Sequence, residues 1–129
     1  NYHQIDKASI NPRPSLPVPI WFGGGAPKLI QRCAELGDGW IPLMGPNDKA
    51  KAMLDEIREK RAAKGLSWED FGVQAQAQYA GGNPELWAKH AAKWRDLGAS
   101  HLAIATHNAG QTDVQGHLKR IQEYLDSVQ

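Results

Sequence analysis

Between residues 71 and 79 apolar and polar side chains alternate without a break. Phe71, Val73, Ala75, Ala77 and Tyr79 fall on one side, Gln74, Gln76 and Gln78 on the other. A period of two puts each set on one face of a β-strand, so this segment is predicted as a strand with one buried face. Elsewhere the apolar positions recur at helical spacing. Leu29, Ile30, Cys33 and Ala34 predict a helix that opens at Pro27, where a missing N–H is harmless, and closes at Gly37. Ala50, Met53, Leu54 and Ile57 predict a second over residues 48–64, capped by Asn47 or Asp48 and ended by Gly65. Trp87, Ala91, Trp94 and Leu97 are the stripe of a third, started by Asn83-Pro84-Glu85 and stopped at Gly98. Val114, Leu118, Ile121, Leu125 and Val128 mark a fourth, before which Thr112 and Gln115 fit a capping box.

Three short apolar runs complete the pattern. Ile20-Trp21-Phe22 leads into three glycines. Residues 39–43 form a second run, with Pro42 marking its end, and residues 101–106 (HLAIAT) form a third. Ser67-Trp68-Glu69-Asp70 reads as a turn before the alternating strand. The chain therefore reads βαβαβαβα. Strands spaced ~20–30 residues apart with helices between them call for parallel pairing and right-handed crossovers. Ahead of this array, residues 1–17 carry Pro12, Pro14 and Pro17 and read as an extended lead-in, like a connection whose earlier half lies elsewhere.

Composition narrows the class without naming a chemistry. The 129 residues suit a single domain over residues 1–129, and a 41% hydrophobic share with 22% charged residues is ordinary for a globular chain. No apolar run approaches the ~20 residues of a transmembrane helix, so no membrane partner is expected. Fifteen basic against fourteen acidic side chains leave no electrostatic footprint for nucleic acid. A lone cysteine excludes an internal disulfide and favours a reducing, cytoplasmic setting.

In parallel α/β architectures ligands gather at the carboxyl ends of the strands, and that rule selects the candidate residues. Gly23, Gly24 and Gly25 follow the first strand and lead into a helix start. Turn N–H groups plus the helix dipole make a seat for an anion or phosphate there, although tight turns need glycine for steric reasons as well. Neither a phosphate-binding P-loop nor the G-x-G-x-x-G fingerprint is completed. Trp40 in the second strand either lines a ring-shaped cofactor pocket or belongs to the core. Gln78 ends a face of three Gln that calls for a polar barrel interior, a ligand or solvent. Thr106, His107 and Asn108 end the fourth strand, and His107 is the best-placed group for proton exchange near neutral pH, with a loop role as its alternative. His3, His90, His101 and His117 are scattered and form no metal set, and Cys33 falls on an apolar helix face.

Residues 19–43, PIWFGGGAPKLIQRCAELGDGWIPL, resemble the C-terminal region of the bacterial luciferase-like monooxygenases, including their deazaflavin-dependent branch. Pro19, Ile20, Trp21, Gly23 and Gly24 match an IPxWxGG strand. Arg32, Ala34, Gly37, Asp38, Gly39 and Trp40 match an R-x-A-x-x-x-G-D-G-W run. Ala26-Pro27 stands where many relatives carry a small polar residue after the glycines. The resemblance implies an α/β fold of parallel βα units, the C-terminal half of a (β/α)8 TIM barrel with four strands and four helices. It also implies FMN or the deazaflavin coenzyme F420 as cofactor in the complete enzyme, and oxidation of a small organic substrate, often with dioxygen. Asp38 would organise the turn at the barrel's non-catalytic end.

The expected function is thus the C-terminal part of a flavin- or deazaflavin-dependent oxidoreductase. Gly23, Gly24, Gly25, Trp40, Gln78 and Thr106 are the cofactor-binding candidates and His107 the catalytic candidate. The alternative is a half-barrel with no activity of its own. Its bare sheet edges would make it a dimer or pair it with an N-terminal half. A flavodoxin-like binding domain is a third reading, requiring helices on both faces of the sheet.

Overall fold

A computed structural model describes residues 6, 9, 11–110 and 113–129. The elements run β1 (Trp21–Gly23), α1 (Pro27–Leu36), β2 (Gly39–Ile41), α2 (Asp48–Ala63), β3 (Gly72–Gln78), α3 (Pro84–Asp96), β4 (His101–Ala105) and α4 (Val114–Val128). All four predicted strands and all four predicted helices are present. β1 is offset by one residue from its apolar run, and the other three strands are shorter than theirs: β2 stops at Ile41 because Pro42 has no N–H to donate. At the start of β3, Phe71 instead donates its N–H to Trp68 in the preceding turn.

Three helices begin on a side chain that accepts a first-turn N–H: Asn47 from Ala50 (3.0 Å), Asn83 from Leu86 (3.0 Å) and Asp113 from Gly116 (2.6 Å). The last corrects the expected capping box, since Asp113 occupies the cap position and Thr112 lies outside the described residues. Gly37 does follow α1, but with φ −89° rather than in the left-handed region. Glycine is required there for space, because a Cβ would sit 2.6 Å from the Cys33 carbonyl oxygen.

The sheet order is β1-β2-β3-β4, every pair parallel. Right-handed crossovers between sequential neighbours put all the helices on one face. Phe22, Trp40, Val73, Ala75 and Ala77 point into the helix side and join its core clusters, whereas Gln76, Gln78 and Ala103 on the other face are exposed. This is the arrangement of half a (β/α)8 barrel, with the barrel's inner surface open. A flavodoxin-like fold is excluded, because it needs a reversal in strand order and helices on both faces.

One residue closes the amino-terminal floor of that open surface. Trp21 pairs in register with Gly39, and Gly39 with Gly72. The indole lies across both glycines, so that a Cβ on either would collide with its ring atoms, and it meets the His101 ring edge-on at 5.5 Å. Asp38 ties the same floor together. Its Oδ2 accepts from Ile20 N (2.7 Å), and its carbonyl accepts from Gly72 N (2.9 Å).

Arg61 was not singled out by the pattern, yet it is the buried charged side chain among the described residues. Its Nη1 donates to Gly37 O (2.8 Å), its Nε and Nη2 donate to Ser67 O (3.2 and 2.9 Å), and its guanidinium lies 4.5 Å from the Phe71 ring centre. It thus joins the ends of α1 and α2 to the turn before β3. Arg61→Met strands two carbonyls and is expected to cost about 2–3 kcal/mol in urea unfolding, with Arg61→Lys recovering little of it.

Candidate functional site

At the carboxyl end of β1 the chain turns sharply into α1. Gly24 adopts φ +112°, donates its N–H to Ile41 O (3.1 Å) and accepts from Trp40 Nε1 (2.7 Å). Gly25 is packed under two thioethers, a Cβ there lying 2.9 Å from Met44 Cε and 3.1 Å from Met53 Cε. Both the conformation and the crowding demand glycine. The helix that follows differs from the other three in having no side-chain cap: Ala26 stands at the N-cap and Pro27 at the first position. Pro27 brings no N–H and the Leu29 N–H donates to the Ala26 carbonyl (2.8 Å), so the Lys28 N–H and the positive end of the helix dipole are what a phosphate or carboxylate would meet there.

Trp40 lies wholly within the helix-side core, and its reach toward the site consists of the hydrogen bond to Gly24. Gln78 is exposed at the end of β3 on the open face, in register with Ala105. Thr106, directly after β4, is half-buried, and its Oγ1 lies 2.8 Å from His117 Nδ1 in the first turns of α4. His107 is exposed one residue further on, beside Asn108 in the left-handed region at φ 61°. The strand ends therefore bring the glycine turn, Gln78, Thr106 and His107 to one end of the sheet. Asp38 sits at the opposite end, where the resemblance put it.

Two groups near this end carried no signal in the sequence. The Tyr79 hydroxyl donates to Glu123 Oε2 (2.5 Å) and accepts from Arg120 Nη1 (3.0 Å), which also donates to Glu123 (2.8 Å). The bond to Glu123 holds the Tyr79 phenol above its ordinary pKa, and the same bond, followed by that to Arg120, holds the Glu123 carboxyl below its own. Such a set joins residues 41 and 44 positions apart, which no local pattern reveals. The second group is a cleft of about 400 Å³ between the β2–α2 connection and α3, with Trp87 and His90 in its wall.

Burial, and then Lys93, hold His90 below the usual imidazole range of 6.5. The unfolded chain therefore takes up the proton first on acidification. The resulting stability is complete above about pH 6.5 and is lost as the pH falls from there through the folded pKa. A urea-midpoint series across that range is expected to slope downward toward acid, and His90→Gln to flatten it. Cys33 is a second buried group. Burial pushes its thiol up to about 12 despite Arg61, so it behaves as an apolar core atom set.

Among the described residues no group of three His, Cys, Asp or Glu side chains is placed to hold a metal ion, and no helix is long and apolar enough to cross a membrane. What the geometry defines is a parallel βα half-barrel with a glycine turn, an uncapped helix start and polar side chains at the carboxyl ends of its strands. The chain belongs to the luciferase-like monooxygenase family, whose model matches residues 1–128. It is 26% identical over 149 aligned positions to an F420-dependent glucose-6-phosphate dehydrogenase of Nakamurella multipartita, covering 97% of this chain and 44% of that protein. A protein of Rhizobium leguminosarum named ribosomal RNA small subunit methyltransferase G is 28% identical over 133 positions, 99% of this chain and 63% of its own length. An uncharacterised protein of Mycobacterium bovis matches at 30% over 64 positions, half of this chain and 22% of that one. The chain thus spans less than two thirds of the length of each of these relatives.

Proposed function

We propose that this chain forms the C-terminal half of a flavin- or deazaflavin-dependent oxidoreductase acting on a small organic substrate. The observation that carries the reading is the uncapped start of α1 behind the glycine turn, at the catalytic end of a barrel-type sheet. Gly23, Gly24, Gly25 and the first turn of α1 would hold the phosphate that FMN and coenzyme F420 share. Trp40 acts through Gly24, keeping the turn in its left-handed conformation. Gln78 and Thr106 would present an amide and a hydroxyl along the ring, with His117 fixing the Thr106 hydroxyl. His107, exposed just beyond β4, would exchange a proton with substrate. The bound ring would supply the hydride or oxygen chemistry, and the protein orientation and electrostatics.

Titration of the purified chain with FMN and with F420, read by absorbance and fluorescence, tests this. Micromolar, stoichiometric binding of either supports the reading. A folded chain that binds neither removes it for this chain alone and favours the second reading, a half-barrel without activity of its own.

That second reading rests on the exposed face bearing Gln76 and Gln78 and on the outer edges of β1 and β4, which pair with no further strand among the described residues. Such a sheet would pair with a second copy or with an N-terminal half. A dimer by light scattering at micromolar concentration is expected of the isolated chain, and a stable monomer would count against pairing between copies. RNA methyl transfer, the activity in the Rhizobium relative's name, finds little support here. Net charge is +1, and the sheet has no strand-order reversal of the kind at which doubly wound folds seat a cofactor.

A further inference from the structure

The cleft beside α3 adjoins the strand-end site, sharing Met44 with the packing over Gly25 and Gln78 with the candidate ring contacts, but the glycine turn itself does not line it. Its wall includes Met44, Gln78, Gly82, Leu86, Trp87 and His90, and no Asp, Glu, Lys or Arg lines it. Two of its polar atoms, Trp87 Nε1 and His90 Nδ1, are buried without a hydrogen-bond partner. Trp87 itself is only 7% exposed. The indole is clamped between aromatic rings, with Tyr79 at 4.5 Å and Tyr124 at 5.6 Å, so its N–H direction is set in advance. That N–H abuts Gly82, where any side chain would collide with the indole edge, and Gly81 beside it takes φ +75°. A buried polar atom left unpaired is costly, and two such atoms stand in this one wall, where a ligand could pair with them.

We propose that this cleft binds the uncharged, carbonyl-bearing part of a small organic molecule. Its acceptor oxygen pairs with the Trp87 indole N–H, and its apolar body lies between Met44 and Leu86. Absence of any formal charge in the wall selects against a carboxylate, phosphate or ammonium, each of which would lose water there without gaining a counter-charge. His90, kept neutral by burial at physiological pH, adds a second polar contact without adding charge. The site deepens the oxidoreductase reading, on which it rests for one point: that the molecule held is the substrate, gripped away from its reacting carbon. A substrate of this kind is neutral at the gripped end, unlike a sugar phosphate.

The test is a two-dimensional NMR titration of the full chain with three probes of one shape: benzamide, benzoate and benzylamine. The Trp87 indole signal is assigned by its loss in Trp87→Phe. Benzamide is expected to shift that signal saturably, at the millimolar level usual for so small a ligand, and benzoate and benzylamine to bind at least about tenfold more weakly. Leu86 is exposed, so Leu86→Glu leaves the fold intact by circular dichroism and is expected to weaken benzamide similarly. An unmoved Trp87 signal, benzoate binding as well as benzamide, or a folded Leu86→Glu variant with unchanged affinity would each overturn the site. Cofactor titration keeps the two readings apart. Binding of FMN or F420 with no benzamide response removes the cleft alone. A benzamide response without cofactor binding leaves a binding cleft and removes the claim that it serves an oxidoreductase.

Discussion

Gly72→Ala is expected to be among the most destabilising single changes in this chain, at about 3 kcal/mol or more by urea unfolding. The Cβ it adds collides with the six-membered ring of Trp21, which cannot retreat without leaving Gly39 and the edge of His101. Gly39→Ala meets the same indole from the neighbouring strand and should behave alike. Trp21→Ala removes the obstacle. In the Trp21→Ala background the added methyl at position 72 should then cost under about 1 kcal/mol, so a double-mutant cycle should return a coupling of about 2 kcal/mol. Additive costs would show that the two glycines serve something other than the indole. The cycle reads the floor of the half-barrel and leaves the strand ends where ligands bind untouched.

Ala26→Asp is expected to move stability and cofactor affinity in opposite directions. Ala26 already has the extended backbone of an N-cap, with φ −70° and ψ 142°, but no side chain able to accept a first-turn N–H. An Asp there supplies the acceptor that Asn47, Asn83 and Asp113 give the other helices. It should stabilise the chain by about 1 kcal/mol. The same carboxylate occupies the place proposed for a phosphate and repels it. Affinity for FMN or F420 should therefore fall by about tenfold or more, equivalent to the ~1.4 kcal/mol of one modest charge contact. Higher thermal stability with undiminished cofactor binding would move the phosphate seat elsewhere.

The order and type of the elements were legible because each rests on local chemistry. Period-two alternation from Phe71 to Tyr79, helical stripes such as Trp87, Ala91 and Trp94, and the Asn83-Pro84-Glu85 start are decided by neighbours in the chain. The misplaced start of α4 belongs to the same class: Asp113 and Thr112 are adjacent capping residues, and only backbone geometry chooses between them. The candidate site was legible in part. Strand ends named the glycine turn, Gln78, Thr106 and His107, whereas Tyr79 with Arg120 and Glu123, and His117 with Thr106, meet only when α4 folds back over β3 and β4.

The G-D-G-W run shows where the division falls. Spacing alone marks Gly37, Asp38, Gly39 and Trp40 as a unit, and the family resemblance rests on it. Three different tasks emerge from the fold: Asp38 binds the floor strands, Gly39 makes room for Trp21, and Trp40 spans the core to hold Gly24. By itself the sequence determined a parallel array of four βα units, a helix-side core and the strand ends as the place for chemistry, since these follow from periodicity and chain connectivity. Tertiary structure decided that the strands lie in chain order with one face bare, that α1 alone lacks a side-chain cap, and that Trp87 and His90 share an uncharged cleft. Those outcomes depend on which distant backbones approach closely enough to exclude a Cβ or leave a donor unpaired, and no local pattern encodes that distance.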